Sequence, residues 1–560
     1  MNKTFDYIVV GGGSGGCVVA GRLSEDPYVS VCVLEAGGDG NSAVVNIPTG
    51  AVAMMPTKLN NWAFETVPQP GLNGRKGYQP RGRALGGSSA INAMVYIRGH
   101  QHDYDTWANL GNTGWSYNEV LPYFRLSENN EHINNAWHGQ GGPLWVSNLR
   151  TGNPFQARYL EAARQAGFPL TDDFNGVEQE GVGIYQVTQK HGERCSAARA
   201  YLLPHMGRRD NLHVQTHALV QRILFEGTRA VGVEVLIDGQ LHTFRARREV
   251  VLAAGALQTP QILMLSGVGP GDELARHGIQ PVAHLSGVGK NLQDHPDFIF
   301  GYRTRSLDTM GVSVGGGLRM LREFARFRQQ RRGALTSNFA EGGAFLKTRA
   351  GLPAPDIQLH FVIALVDDHA RKPHLGHGLS CHVCLLRPRS RGTVTLQSNR
   401  PAEAPLIDPA FLQDPQDVED MVAGFKMTRR LMQAPALDAW ITRDMFTANV
   451  NTDDEIRETL RQRTDTVYHP VGTCRMGVDD DAVVDPQLRV HGLQSLRIVD
   501  ASIMPTLIGG NTNAPTIMIA EKAVDMIRGR TRVQSDVGAD DLPVAASSSS
   551  RVEEPQHALI

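Results

Sequence analysis

Two short stretches toward the C-terminal end carry side chains able to take a proton and to hold a reacting oxygen. "YHPVGTCRMG", Tyr468 to Gly477, sets His469 before a proline in a glycine-bordered turn, and "GNTNAPTIMIAEKA", from Gly509, sets Asn513 in a polar turn ahead of an apolar run. The imidazole's ordinary pKa lies near neutrality, so a positioned histidine suits general-base work, worth typically about 10² to 10⁴ in rate. An amide can orient the oxygen from which the proton leaves. Asn513 also lies just before Pro515 at an expected helix start, where free N–H groups favour developing negative charge; capping that helix is the plain alternative for it. With 20 histidines in the chain, most must be ordinary, and the pair alone does not make a site.

The elements that would serve such a pair begin at the N-terminus. "FDYIVVGGGSGGCVVAGRLSEDPYVSVCVLEAGG" reads as an apolar strand at Tyr7 to Val10, then G-x-G-x-x-G as Gly11, Gly13 and Gly16, a helix to about Leu23, a second strand at Val29 to Leu34, and Glu35. This is a complete βαβ unit. Its glycines allow a tight turn and close approach of backbone to a pyrophosphate, which then sits on the helix N-terminus. Glu35 is spaced to accept from a ribose hydroxyl. An acid there disfavours a 2'-phosphate and hence NADP, but does not separate FAD from NAD.

Composition narrows the rest. A chain of 560 residues exceeds what one hydrophobic core sustains, so two or three packed units are expected. Lys+Arg 55 against Asp+Glu 57 leaves a formal charge of −2, no basic field for a phosphate polymer, and no nucleic-acid partner is expected. The first residues run into a strand without room for a signal segment, and no uninterrupted apolar run is long enough to span a bilayer. A cytoplasmic protein is expected. The six cysteines suit a reducing compartment. "CHVC", Cys381 to Cys384, lacks a second pair for zinc and reads as strand, which turns the two thiols to opposite faces; no metal site is expected.

"GRALGGSSAINAMVYIRG", Gly82 to Gly99, and "GALQTPQILMLSGVG", Gly255 to Gly269, resemble the two signature patterns of the glucose-methanol-choline (GMC) flavoprotein oxidoreductases, and the His469 and Asn513 stretches resemble that family's C-terminal catalytic region. The resemblance covers about residues 4 to 529 and is closest in texture to bacterial acceptor-dependent alcohol (alkanol) dehydrogenases and choline dehydrogenases. It implies an α/β fold, α+β overall, with a Rossmann-like FAD-binding domain assembled from about 1–150, 195–300 and 465–530, and a mostly antiparallel substrate-binding domain from 151–194 and 301–464. Within "EVVLAAGALQTPQILMLSGVG", Thr259-Pro260 reads as a helix N-cap followed by proline at the first helical position.

Residue by residue, the resemblance implies His469 as the catalytic base and Asn513 as its partner. It implies cofactor contacts from Gly11, Gly13, Ser14, Gly16, Glu35 and Ala36, from Gly86, Gly87, Ser88 and Asn92, from Val220, Asp500 and Ala501, and from Asn511 and Pro515. Some family members attach FAD through a histidine just before the asparagine of the first signature; here that position is Ile91, so FAD is expected to be non-covalent. Phe339, Glu341 and Phe345 in "SNFAEGGAF" are candidates for the substrate side. The implied activity is oxidation of a primary alcohol, medium- or long-chain, to an aldehyde, with electrons passed to an acceptor other than NAD, such as a quinone. Choline dehydrogenase and a non-redox flavin-containing lyase are the alternatives.

"LRMLREFARFRQQRR", Leu318 to Arg332, is arginine-rich, and at helical spacing Met320, Leu321, Phe324 and Phe327 share one face while Arg319, Arg322 and Arg326 take the other. Such a helix suits either a cover over the substrate domain or peripheral association with an anionic membrane, at the inner face. Beyond Arg530, a serine run and weak apolar periodicity predict a disordered tail over 531–560.

Overall fold

Fully apolar strands need cover on both faces, and the first two find it. Tyr7 to Val10 and Val31 to Leu34 are buried without alternation, as in a parallel sheet flanked by helices. The structure, a computed structural model, describes residues 2–530; the tail expected over 531–560 lies outside the described residues. The first sheet runs in the order Leu212–Gln215, Val31–Leu34, Asn2–Val10, Gln240–Leu252, Arg229–Ile237, Ala218–Glu226. Its first four strands are parallel and its last three pair antiparallel. The end of Gln240–Leu252 also pairs in parallel with Leu496–Ile498, which the chain delivers from its far end. The helix Ser14–Leu23 packs against the helix Asn513–Ile527 over this sheet.

The second sheet is antiparallel throughout, with the main order Arg443–Asp444, Pro296–Thr304, Gly376–Leu385, Ile357–Val362, Ala340–Leu346, Gly181–Ile184. Strand alternation divides its central members. Ile357, Leu359 and Phe361, with Leu379, Cys381 and Val383, join the core that also contains Phe425 of the helix Pro415–Met432. Gln358, His360, Val362 and His382 take the other face, toward the first sheet's domain. The expected boundary at residue 300 falls inside the strand Pro296–Thr304, which this sheet uses whole.

Two local expectations are corrected. The helix Gly255–Leu265 begins four residues before Thr259, so Pro260 lies inside it. Proline there leaves the Ala256 carbonyl without its helical donor, and the Thr473 hydroxyl, 2.6 Å away, donates to it instead. Thr259 is no cap: its hydroxyl donates to Asp500 at 2.6 Å. The arginine-rich helix, Val314–Gln330, covers the substrate domain with only part of the expected apolar face: Phe327 is buried, while Leu321 and Phe324 are exposed. Its contact face is set instead by Gly316, by Phe327, and by Glu323, which turns in to accept the Ala334 N–H.

No helix among the described residues is long and apolar enough to cross a membrane. Cys381 and Cys384 sit three apart on one strand, free and buried.

Candidate active site

A large cavity lies between the two sheets. Gly11, Gly13, Ser14, Glu35 and Ala36 line one end of it, and His469, Asn511 and His360 line the other. At the first end the glycines do different jobs. Gly11 has φ +97°, in the left-handed region, and a Cβ on Gly16 would lie 1.9 Å from the Gly11 carbonyl oxygen. A side chain at Gly16 would therefore push the helix off the strand. Gly13, by contrast, faces open space, where a Cβ would meet nothing closer than 3.8 Å. The helix Ser14–Leu23 starts there with no side-chain cap, as does the helix Asn513–Ile527 at Thr512. Two helix N-termini thus open onto one cavity, each with about half a positive charge.

Glu35 is buried, and burial pushes its carboxyl upward. It accepts the N–H groups of Gly12 at 2.9 Å and Gly37 at 2.8 Å, one on each oxygen, which leaves a lone pair on each for a ribose. Asp500 is more fully used: it accepts from Gly255 N at 2.9 Å, from Thr259, and from Ser502 N at 2.8 Å, so it braces the cavity floor. Ser88, Gly87, Asn92, Val220 and Ala501 also line the cavity, as does Ile91, which offers no nucleophile to a flavin. Gly16, Gly86 and Pro515 do not line it; Gly86 gives its N–H to the Gly12 carbonyl at 2.7 Å and holds two loops together. An elongated, open-ended cavity with free N–H groups at two helix starts and a buried acid near one of them fits an adenine dinucleotide carrying a flavin.

The other end of the cavity is built by two His-Pro turns. Residues Gln293 and Val471 form an antiparallel bridge, and the Val467 N–H donates to the His295 carbonyl at 3.2 Å. The ladder brings His295-Pro296 against His469-Pro470. Asp294 accepts the His469 N–H at 2.9 Å, and Tyr468, at φ +75°, turns the chain so that His469 enters the cavity. His469 Nδ1 then lies 3.0 Å from His295 Nδ1, and His295 Nε2 lies 3.1 Å from the carbonyl oxygen of Leu386.

These contacts assign the protons. A carbonyl only accepts, so His295 carries its hydrogen on Nε2; burial holds its pKa down to about 3, so its Nδ1 is a bare acceptor. His469 must therefore donate from Nδ1, which leaves Nε2 as a lone pair facing the cavity. Burial, the neighbouring imidazoles of His295 and His360 and the Arg81 cation keep His469 well below the ordinary histidine pKa, hence neutral.

The amide beside that lone pair is Asn511, whose Nδ2 is 3.2 Å from His469 Nε2. Its orientation is fixed from behind: Gln358 Nε2 donates to Asn511 Oδ1 at 3.0 Å and to the Tyr185 oxygen at 3.1 Å, while the Tyr185 hydroxyl donates to the Leu359 carbonyl at 2.7 Å. Asn513 also lines the cavity, but at the cofactor end. It is the first helical residue, Thr512 holds the cap position, and Asn513 Oδ1 accepts from the Ser14 hydroxyl at 2.8 Å. It joins the two helix N-termini and neither touches His469 nor caps its own helix.

Of the substrate-side candidates, Phe339 lines the cavity with φ +67°, whereas Phe345 is packed in a core. Glu341 is buried outside the cavity wall, accepting from Ser337 at 2.7 Å, Gln156 at 2.7 Å and Thr151 at 3.1 Å. Val362, Ala364, Leu365 and Val366 form the aliphatic wall near His469. The sequence reading missed His295, His360, His382 and Gln358. For His295 a signal existed, since it repeats the His-Pro pair of His469; for the others the period-2 placement opposite a core face was the only trace.

Two sequence profiles, both described as GMC oxidoreductase, match residues 5–297 and 388–520. An alcohol dehydrogenase [acceptor] from Pseudomonas putida is 46% identical over 528 residues, covering 93% of this chain and 95% of that protein. The mitochondrial choline dehydrogenase of Homo sapiens is 44% identical over 542 residues, covering 94% and 90%. Among solved structures, pyridoxine 4-oxidase from Mesorbium loti superposes with a TM-score of 0.85 at 31% identity, covering 94% of this chain and 100% of that one.

Proposed function

The chain belongs to the GMC oxidoreductase family, and from that premise we propose that it is an FAD-dependent alcohol dehydrogenase that converts an aliphatic primary alcohol to its aldehyde and delivers the electrons to an acceptor other than NAD, such as a quinone. The observation that carries this reading is the one-directional proton order from Leu386 through His295 to His469, which leaves His469 Nε2 as a bare acceptor beside the Asn511 amide. An alcohol hydroxyl donates to His469 Nε2, and Asn511 Nδ2, held beside that nitrogen by Gln358, donates to the alcohol oxygen. The catalytic pair is thus His469 with Asn511, while Asn513 ties the cofactor helix to its neighbour. FAD, when bound, would supply the hydride acceptor for the carbon that bears the hydroxyl. Ser14, Gly13, Glu35 and the helix starts at Ser14 and Asn513 would hold it, non-covalently, because Ile91 cannot bond to it.

An aliphatic substrate is supported by the wall of Val362, Ala364, Leu365 and Val366. Choline is the second reading, supported by the 44% identity to a choline dehydrogenase. A trimethylammonium group wants an aromatic or carboxylate cage. The carboxylates behind this end of the cavity, Asp297 bonded to His382 at 2.6 Å and Asp294 bonded to the His469 N–H, do not line the wall, so a cage would rest on Phe339 and Tyr468 without a carboxylate, and the aliphatic wall supports the alkanol first.

Anaerobic single-turnover reduction of the flavin separates the two without knowledge of the acceptor. Medium-chain primary alcohols should reduce it faster than choline at equal concentration. Efficiency should climb from ethanol by up to about 0.8 kcal/mol of binding for each buried methylene before levelling off. Fastest reduction by choline would overturn the alkanol assignment, and absence of reduction by every alcohol would overturn the dehydrogenase.

A further inference from the structure

The helix Val314–Gln330 turns a row of apolar side chains away from the protein. Val314, Leu318, Leu321 and Ala325 fall on one face at helical spacing, opposite the Gly316, Glu323 and Phe327 face that holds the helix down. Val314 is 85%, Leu318 61% and Leu321 71% exposed, and Leu375, at 78%, stands beside Val312 at the foot of the helix. Exposed leucines are ordinary when scattered; a contiguous row on one helix is not.

Charge around this row has one sign. Arg322, Arg326 and Arg328 are exposed along the helix, followed by Arg331 and Arg332. Among the described residues Arg322, Arg328 and Arg332 have no acidic partner, whereas Arg331 bridges Glu193 and Arg326 lies 3.8 Å from Glu323. The helix's single acid, Glu323, is turned inward, and the nearby Asp308 lies within 3.9 Å of Arg158.

We propose that this outward face docks on an anionic lipid bilayer. An apolar ridge flanked by arginines is the pattern of a helix lying in a membrane interface. The ridge is convex, so it calls for a deformable partner. A second copy of the same face would add further unpaired arginines and no acid to meet them. The placement is also continuous with the cavity: the Met310 N–H donates to the Ile363 carbonyl at 2.7 Å, and Val312 bridges to Leu375, so the wall segment from Ala364 to Ala370 is clamped at both ends to the residues that lead into the helix. Docking sets that wall beside the lipid. The docking rests on the helix face alone and stands whichever alcohol is oxidised.

The test is flotation of the full-length holoenzyme with vesicles of phosphatidylcholine, with and without phosphatidylglycerol. The protein should float only with the anionic vesicles and be released by salt. Each arginine near such a surface contributes about fivefold in partitioning, so Arg322→Gln with Arg326→Gln should lower binding roughly twenty- to thirtyfold. Leu318→Ser with Leu321→Ser should lower it at least as far, while FAD content and single-turnover reduction by a water-soluble alcohol stay unchanged, which separates lost docking from lost folding. Flotation unaltered by either double variant, or no flotation at all, overturns the proposal. So does a concentration-dependent dimer that the leucine variant abolishes, since a second copy would then own the face.

Discussion

His295 does not line the cavity, yet it decides which nitrogen of His469 is basic. It is a positioning residue, and its replacement can be graded. His295→Leu removes the acceptor for His469 Nδ1–H and frees both tautomers; the flavin reduction rate at saturating alcohol should fall about tenfold or more, with alcohol binding little changed. His295→Asn keeps an oxygen acceptor in the same direction and should recover part of that loss, whereas equal rates for the two variants would leave His295 only a packing role. His469→Ala should lose about 10² or more while retaining FAD. The two asparagines give a sharper contrast. Asn511→Ala should slow reduction strongly because it strips the donor beside His469 Nε2, while Asn513→Ala should act mainly on FAD affinity through its bond with Ser14. Stopped-flow reduction and FAD titration of both variants read the two effects separately.

At the scale of elements, Pro260 makes a prediction that has nothing to do with the reaction. The Ala256 carbonyl depends on the Thr473 hydroxyl, and Thr473 belongs to the segment that carries His469. Thr473→Val keeps the shape and removes the donor, leaving a buried acceptor unpaired at a cost of about 1–3 kcal/mol; the unfolding midpoint should drop accordingly, with the midpoint of Thr473→Ser near that of the native chain. This coupling was not readable in the sequence, where Thr259-Pro260 has the pattern of a helix start. The nucleotide-binding βαβ unit was readable because its glycines stand where a side chain would strike backbone, as at Gly16. His469 was found through its motif, but the choice between Asn511 and Asn513 was not: two asparagines two apart at a helix entrance point in different directions, and only the tertiary fold says which one meets the base. His295, 174 residues from its partner, needed the antiparallel bridge from Gln293 to Val471 to be seen. The face of the helix Val314–Gln330 was left open for a related reason, since periodicity shows which residues share a face and not which way that face turns.

For the molecule as a whole, the buried histidines set an acid limit. His295 and His360 are each held down to about 3 by burial, against roughly 6.5 in an unfolded chain. Below that unfolded value the unfolded chain takes protons that the folded chain refuses, so their contribution is intact above about pH 6.5 and is lost progressively as pH falls toward 3. Among the described residues His360 Nδ1 has no hydrogen-bond partner, so His360→Gln is the cleanest probe. The fall in stability between about pH 6 and pH 4 should be shallower in this variant by up to about 1.4 kcal/mol per pH unit, measured by unfolding at several pH values. A parallel pair of curves would mean that His360 accepts a proton while folded. A different consequence follows from the strand Leu496–Ile498 and the helix Asn513–Ile527, which complete the sheet and the cavity begun by residues 2–34. During synthesis at roughly 5 to 20 residues per second, the first βαβ unit emerges from the ribosome about half a minute to a minute and a half before its C-terminal partners. Its strands find their sheet partners by Leu252, but the edge that Leu496–Ile498 fills and the face that Asn513–Ile527 covers stay open through that interval, so the nascent chain cannot close its own cofactor site until its C-terminal helix has emerged.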